Sequence, residues 1–227
     1  MRDDLATEQR RSEPAINVPW PVIVLVALLV AAHLARTWGG VDTDEWALTA
    51  PDLAHGHWAA LISHIFVHAN WMHLGMNSIF ILAFGAAVAR FLGSTLSGAL
   101  LFFLFFLVCG VIAGAGYAIS EEILAPFGLG RLDFALVGAS GAASGLMGAT
   151  ARLIEGRGGL GPLAGRAVVG MTVVWILINL ALGLTGLTPG TAGAPIAWQA
   201  HIIGYFAGLF LIAPFAWGSK ALVGPRR

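Results

Sequence analysis

Charge is scarce in this chain. Of its 227 residues only 11% are charged while 58% are hydrophobic, and the mean hydropathy is +0.82. A soluble domain carries roughly 25% charged residues. This chain cannot cover itself with a polar surface, which excludes an ordinary soluble domain and points to a polytopic membrane protein. Net charge is absent as well, because 12 Lys and Arg balance 12 Asp and Glu. That leaves no electrostatic basis for holding nucleic acid. Cysteine is limited to Cys109, in an apolar run, which excludes a disulfide framework or a zinc–thiolate site within one chain. No internal repeat is visible, so an inverted-repeat transporter is not favoured. No cofactor signature is present.

What the chain has in abundance is apolar runs and 30 glycines. Small residues let membrane helices approach closely. Hydropathy and loop punctuation give six spans: about Trp20–Arg36, Asn70–Phe91, Thr95–Ile119, Val137–Ile154, Ala167–Leu187 and Trp198–Trp217. The fold expected is an all-α bundle of six transmembrane helices filling residues 20–217. The fourth helix is short and recessed, since Val137–Ile154 falls below the ~20 residues of a full crossing. Residues 1–19 and 218–227 read as tails. The first is long and acidic, which suits a cytoplasmic tail better than a signal peptide.

Charge orients the bundle. With the N-terminus inside, the inner side holds Arg2, Arg10, Arg11, Arg90, Arg152, Arg157, Arg166, Lys220, Arg226 and Arg227, and the outer side holds Arg36 and Arg131. This positive-inside bias places both termini in the cytoplasm, and size and tails suit a bacterial inner membrane. Trp20, Trp38, Trp198 and Trp217 near span ends read as an aromatic belt. The run "LFFLFFL", Leu101–Leu107, reads as lipid-facing filler.

Polar groups at membrane depth are expensive and mark function by default. They are His64, His68, His73 and Asn77 around span two, Ser140 and Ser144 in span four, Asn179 in span five, Gln199 and His201 in span six, and His33 in span one. Asn77, Ser140 and His201 all fall within about 10 Å of the outer end at ~1.5 Å per residue. Ser140, Ser144 and Gly148 recur every four residues, as do Gly141 and Gly145, and Gly204 and Gly208 do the same beside His201. Such stripes alone read as packing faces. A serine and its base, however, must meet at ~2.6–3.2 Å, which two helices achieve only with close axes. No carboxylate lies inside a span, so a serine–histidine dyad is available and a triad with aspartate is not. Asn179 and His33 read as structural hydrogen bonding.

"GASG" at Gly138–Gly141, "AHIIGYFAG" at Ala200–Gly208 and "HIFVHANWMHLGMN" at His64–Asn77 together resemble the rhomboid intramembrane serine proteases, over about His57 to Gly208. The resemblance implies a serine endopeptidase that needs no cofactor or metal. Its substrates are single-span membrane proteins, cut in the bilayer near the outer end of their span after a small residue. It implies Ser140 as nucleophile and His201 as general base. His68, Asn77 and the Ser140 backbone N–H form the oxyanion hole. His73 supports the second span, His64 sits nearby in the first outer loop, Gly138 and Gly141 belong to the nucleophile motif, and Gly204 lets helix six approach helix four. Two departures stand out. Ser144 occupies a position where the family commonly has an aromatic stacked on the base, which leaves Trp198 or Tyr205 to orient His201. "HWAAL", His57–Leu61, has a tryptophan without the family's usual arginine, which leaves open how the first outer loop is anchored.

Two other readings stay open. One is a catalytically silent relative that binds transmembrane clients, motivated by Ser144. The other is a metal or small-solute membrane protein, motivated by the i, i+4 spacing of His64 and His68.

Overall fold

A computed structural model describes residues 18–186 and 196–223. The tail residues Arg2, Arg10, Arg11, Arg226 and Arg227 lie outside the described residues, as does the end of the expected fifth span. The described chain is all-helical: α1 Trp20–Thr37, the single turn α2 Ala60–Ser63, α3 Trp71–Leu92, α4 Leu96–Leu124, α5 Ser140–Glu155, α6 Arg166–Thr185 and α7 Trp198–Val223. Five of these helices (α1, α3, α4, α6 and α7) are long and apolar enough to cross a membrane. The expected fourth span, α5, has 16 residues, too few to cross alone. α7 continues past Trp217 to Val223, so the expected tail at 218–227 begins inside a helix.

Punctuation residues set the helix boundaries. Asn70 caps α3 by accepting from the His73 N–H (2.9 Å), and Thr95 caps α4 by accepting from the Gly98 N–H (3.2 Å). The α5–α6 link is tied by the Glu155 carboxylate, which accepts from the Ala167 N–H at 2.6 Å. Glu155 is thus spent at the end of α5 far from Ser140.

The architecture places α5 at the centre. Twelve of its sixteen residues are buried, under α3, α4, α6 and α7. Its glycines explain how. A methyl added to Gly204 or Gly208 of α7 would strike the carbonyl oxygen of Gly141 or Gly145 on α5, and one added to Gly148 would strike the Tyr205 carbonyl. The two helices therefore touch backbone to backbone over two turns. The "LFFLFFL" run is not lipid-facing filler: Phe102, Phe105 and Phe106 are fully buried in the main core with Cys109, Leu146 and Ile212, whereas Leu100 and Leu104 point outward. By contrast, α6 is peripheral. Val168 and Asn179 are its buried residues among those described, and Val169, Val173, Val174, Leu177 and Ile178 are exposed.

The segment between α1 and α3 is anchored at the Ser140 end of the bundle without an arginine in "HWAAL". Arg36, in the last turn of α1, donates to the His68 carbonyl at 3.0 Å. Ser63 donates to the Trp46 carbonyl, and Asp52 accepts from the Thr49 N–H and hydroxyl. Leu48 and Leu136 exchange both backbone hydrogen bonds, and Gly138 N–H donates to the His64 carbonyl at 2.9 Å. This holds the strand-like approach to Ser140 in register. At the same end, Glu121 of α4 accepts from Gln199 of α7 (2.7 Å) and from the Arg131 N–H (2.5 Å).

Candidate active site

Ser140 is the first residue of α5, and no side chain caps that helix start. The chain reaches it through Gly138, whose φ of +108° lies where only glycine is comfortable. A methyl on Gly138 would also come within 2.8 Å of His73 Nε2 and 3.4 Å of Asn77 Nδ2. Both nitrogens therefore face one point beside the α5 N-terminus. Two turns of α7 along from its start region, the tight Gly141–Gly204 contact brings His201 close enough that its Nε2 lies 2.8 Å from Ser140 Oγ. An imidazole at that distance is within reach of the hydroxyl proton.

A cavity of about 460 Å³ opens beside this pair. Its polar lining comes from Ser140, Ser144, His201, His73, Asn77 and Asn179, and its apolar wall includes Met76, Phe80, Trp175, Ile178 and Leu182. No Asp or Glu lines it among the described residues. Free N–H groups at a helix start favour negative charge nearby, and these converge with the Asn77 amide and the His73 ring.

The structure departs from expectation at His68. This residue is fully buried and does not line the cavity. Its ring lies edge-on to His73, with centroids 5.3 Å apart, on the side towards His33 of α1. The reason is local. Val67 is extended and Asn70 caps α3, so His68 precedes the helix and shares no face with Asn77. His73 and Asn77 are one turn apart on α3 and do share a face. His73, expected only as support, is thus the histidine at the cavity. The extended Val67 also ends the helical turn that holds His64, so His64 and His68 do not form a ligand pair on one helix face.

Burial holds both loop histidines neutral. It pushes His64 down to about 4, and the Nδ1–H of His64 donates to the Ala60 carbonyl at 2.8 Å. It pushes His68 down to about 3, with His73 and His33 adding to the cost of a charge.

Neither Trp198 nor Tyr205 orients His201. Trp198 packs on Gly183, and the Tyr205 hydroxyl pairs with Thr172 at 3.0 Å. Ser144 turns back and donates to the Ser140 carbonyl at 2.7 Å. The group at His201 Nδ1 is Asn179 Oδ1 of α6, 2.8 Å away. Asn179 stood out in the sequence as a lone polar residue in an apolar span, but nothing there named its partner. Trp175, one turn earlier, donates from Nε1 to the His201 carbonyl at 3.4 Å and sets its ring 6.1 Å from the imidazole.

Comparison with known proteins supplies the family. Over 96 residues the chain is 36% identical to a protein of Bacillus subtilis (strain 168) named "Putative rhomboid protease YdcA". That match covers 42% of this chain and 41% of the relative, so the two correspond over less than half of either length. The family described as "Rhomboid domain" matches residues 55–218, a stretch that runs from the first inter-helix segment through most of α7 and takes in every cavity residue named above. The chain belongs to the rhomboid family.

Proposed function

We propose that this protein is an intramembrane serine endopeptidase working through a Ser140–His201 dyad. The observation that carries the reading is the 2.8 Å approach of Ser140 Oγ to His201 Nε2 at the mouth of an apolar, helix-walled cavity. Ser140 Oγ attacks the carbonyl carbon of the scissile peptide while its proton passes to His201 Nε2. The developing oxyanion is held by the Ser140 N–H, the Asn77 amide and the His73 ring, with His73 in the place first expected for His68. His201 then gives the proton to the leaving amine, and water, activated by the same imidazole, frees the acyl group from Ser140. Each oxyanion donor contributes about 10²–10³ in rate in one studied protease.

The wall of Met76, Phe80, Trp175, Ile178 and Leu182 suits a transmembrane segment of a single-span protein, entering from the bilayer. A helical peptide bond hides its carbonyl in the i→i−4 ladder, so the segment is cut where it unwinds, next to the cavity. By the positive-inside pattern that end is the outer one, with both termini cytoplasmic.

The test is cleavage of a transmembrane reporter in proteoliposomes, with fluorophosphonate labelling in parallel. Wild type cleaves and labels, while Ser140→Ala and His201→Ala do neither. A folded wild type that binds the reporter but neither labels nor cuts it would replace this reading with the silent, client-binding one.

A further inference from the structure

We propose that Asn179 is the positioning residue for His201, fixing from α6 both the direction of the imidazole and which nitrogen carries its hydrogen. The inference rests on the dyad reading above and adds a residue to it.

The assignment follows from donor and acceptor chemistry. Asn179 Nδ2 donates to the Trp175 carbonyl at 2.9 Å. A carbonyl can only accept, so that end of the amide is the NH₂. The end facing His201 Nδ1, 2.8 Å away, is then Oδ1, which can only accept in turn. His201 Nδ1 therefore carries the hydrogen. In the neutral ring Nε2 is left with a lone pair, and the atom 2.8 Å from it is Ser140 Oγ. The hydroxyl donates to the base, which is the direction the reaction needs. The other tautomer would set a bare Nδ1 against an acceptor, and a flipped ring would turn carbon rather than nitrogen towards both Asn179 Oδ1 and Ser140 Oγ.

Location supports a dedicated role. α6 is the most exposed of the long helices, and Asn179 is its one buried polar residue among those described. α5 offers no substitute, since Ser144 is engaged with the Ser140 carbonyl. The groups that face the imidazole are Ser140 from α5, His73 from α3, and Asn179 and Trp175 from α6. No carboxylate is among them, and among the described residues Asn179 supplies the acceptor for Nδ1–H. The bond crosses from α6 to α7, so α6 must be seated against α7 for the base to be correctly presented.

The plain alternative is that Asn179 merely glues α6 to α7, and kinetics separate the two. The full chain in detergent is assayed on a quenched transmembrane peptide with Asn179→Leu, Asn179→Ala, Asn179→Asp, Ser140→Ala and His201→Ala. Rates are normalised to the folded fraction, and Tm is measured throughout. In Asn179→Leu and Asn179→Ala, kcat falls about 10- to 100-fold while KM stays within about twofold, because a buried N–H loses its acceptor and the ring loses its tautomer. Asn179→Asp keeps an oxygen in the same place and holds kcat within about fivefold of wild type. Wild-type kcat in folded Asn179→Leu or Asn179→Ala, or a loss in Asn179→Asp as deep as theirs, overturns the proposal. Full activity in Ser140→Ala would instead overturn the dyad reading itself.

Discussion

Gly204 is the position at which a single methyl should disconnect packing from chemistry. It lies three residues beyond His201, and its partner across the interface, Gly141, is the neighbour of Ser140. A methyl at Gly204 would sit 2.1 Å from the Gly141 carbonyl oxygen. Ordinary contact requires about 3.5 Å. Both atoms that meet belong to helix backbone or to Cβ, so no side chain can swing away, and the helices must part by about 1.4 Å along that line. The second contact, Gly208 on Gly145, stays closed and acts as a pivot, so the opening is felt most at the Ser140 end. The 2.8 Å Ser140–His201 approach then stretches to about 4 Å, beyond the ~3.2 Å limit for proton transfer to a base.

General base catalysis contributes about 10²–10⁴ in rate, so Gly204→Ala should lose about 100-fold or more in kcat on the transmembrane reporter and lose most fluorophosphonate labelling. Overpacking adds a stability cost of about 1–3 kcal/mol, read as a lower Tm, with the helical circular dichroism retained. Gly170→Ala on α6 is the control, because a methyl there meets nothing within 4 Å, and it should cleave like wild type. Gly204→Ala with kcat within twofold of wild type and an unchanged Tm would refute the reasoning. So would a Gly170→Ala variant that loses as much.

Three other expectations follow from the loop and from the α4–α7 link. His64 and His68 are held neutral by burial, at about 4 and about 3, while in the unfolded chain they take up protons near 6.5. Between those values the unfolded state binds more protons, so the stability is full above about pH 6.5 and is lost as pH falls towards 4. At about 1.4 kcal/mol per unit, His64 alone accounts for a fall of about 2 kcal/mol by pH 5 and on the order of 3 kcal/mol by pH 4, seen as a Tm that drops between pH 7 and pH 4; a flat profile counts against the burial. Glu121→Gln turns an amide donor towards a second donor, Gln199 Nε2 or the Arg131 N–H, and should cost about 1–3 kcal/mol. Adding Gln199→Glu reverses donor and acceptor, and a double-mutant cycle that returns no coupling would dismiss the link. His68→Ala should lower Tm with little change in normalised kcat, whereas His73→Ala should lower kcat about 10²-fold; the reverse order would restore His68 to the oxyanion site.

How far the sequence reaches is seen in these same residues. The helices were legible because apolar runs bounded by Asn70, Thr95 and similar caps leave few alternatives. The close approach of α5 and α7 was legible because Gly141, Gly145, Gly204 and Gly208 recur at i, i+4. The placement of His73 rather than His68 beside Asn77 at the cavity was legible in principle. Asn70 is a capping residue, so only residues after it can share a helical face with Asn77, and i, i+4 selects His73. Resemblance over the whole motif hid that simpler geometric fact. The phenylalanine run misled for another reason. An apolar segment carries no polar face to mark which side meets lipid. The informative pattern was the continuation of Phe102, Phe105 and Phe106 into Cys109 and Ala113, all of them buried. Asn179 was visible as an anomaly, yet its partner is a property of how α6 lies on α7, which no local pattern encodes.

That last gap has a physical logic. Making α5 thin enough for backbone contact with α7 removes the bulk that could hold an imidazole from the α5 side. Gly141, Gly145 and Gly148 carry no side chain, and Ser144 reaches only its own helix. The histidine is brought near by small residues but cannot be steadied by them. Support has to come from the opposite flank, and α6 supplies it with an amide and an indole one turn apart, Asn179 and Trp175. Closeness is set by what α5 lacks and direction by what α6 carries. A variant that restores an aromatic at position 144 is therefore not a repair. Ser144 is buried and borders the cavity, so Ser144→Phe would fill space the peptide needs while duplicating a support already present, and it should raise KM rather than kcat.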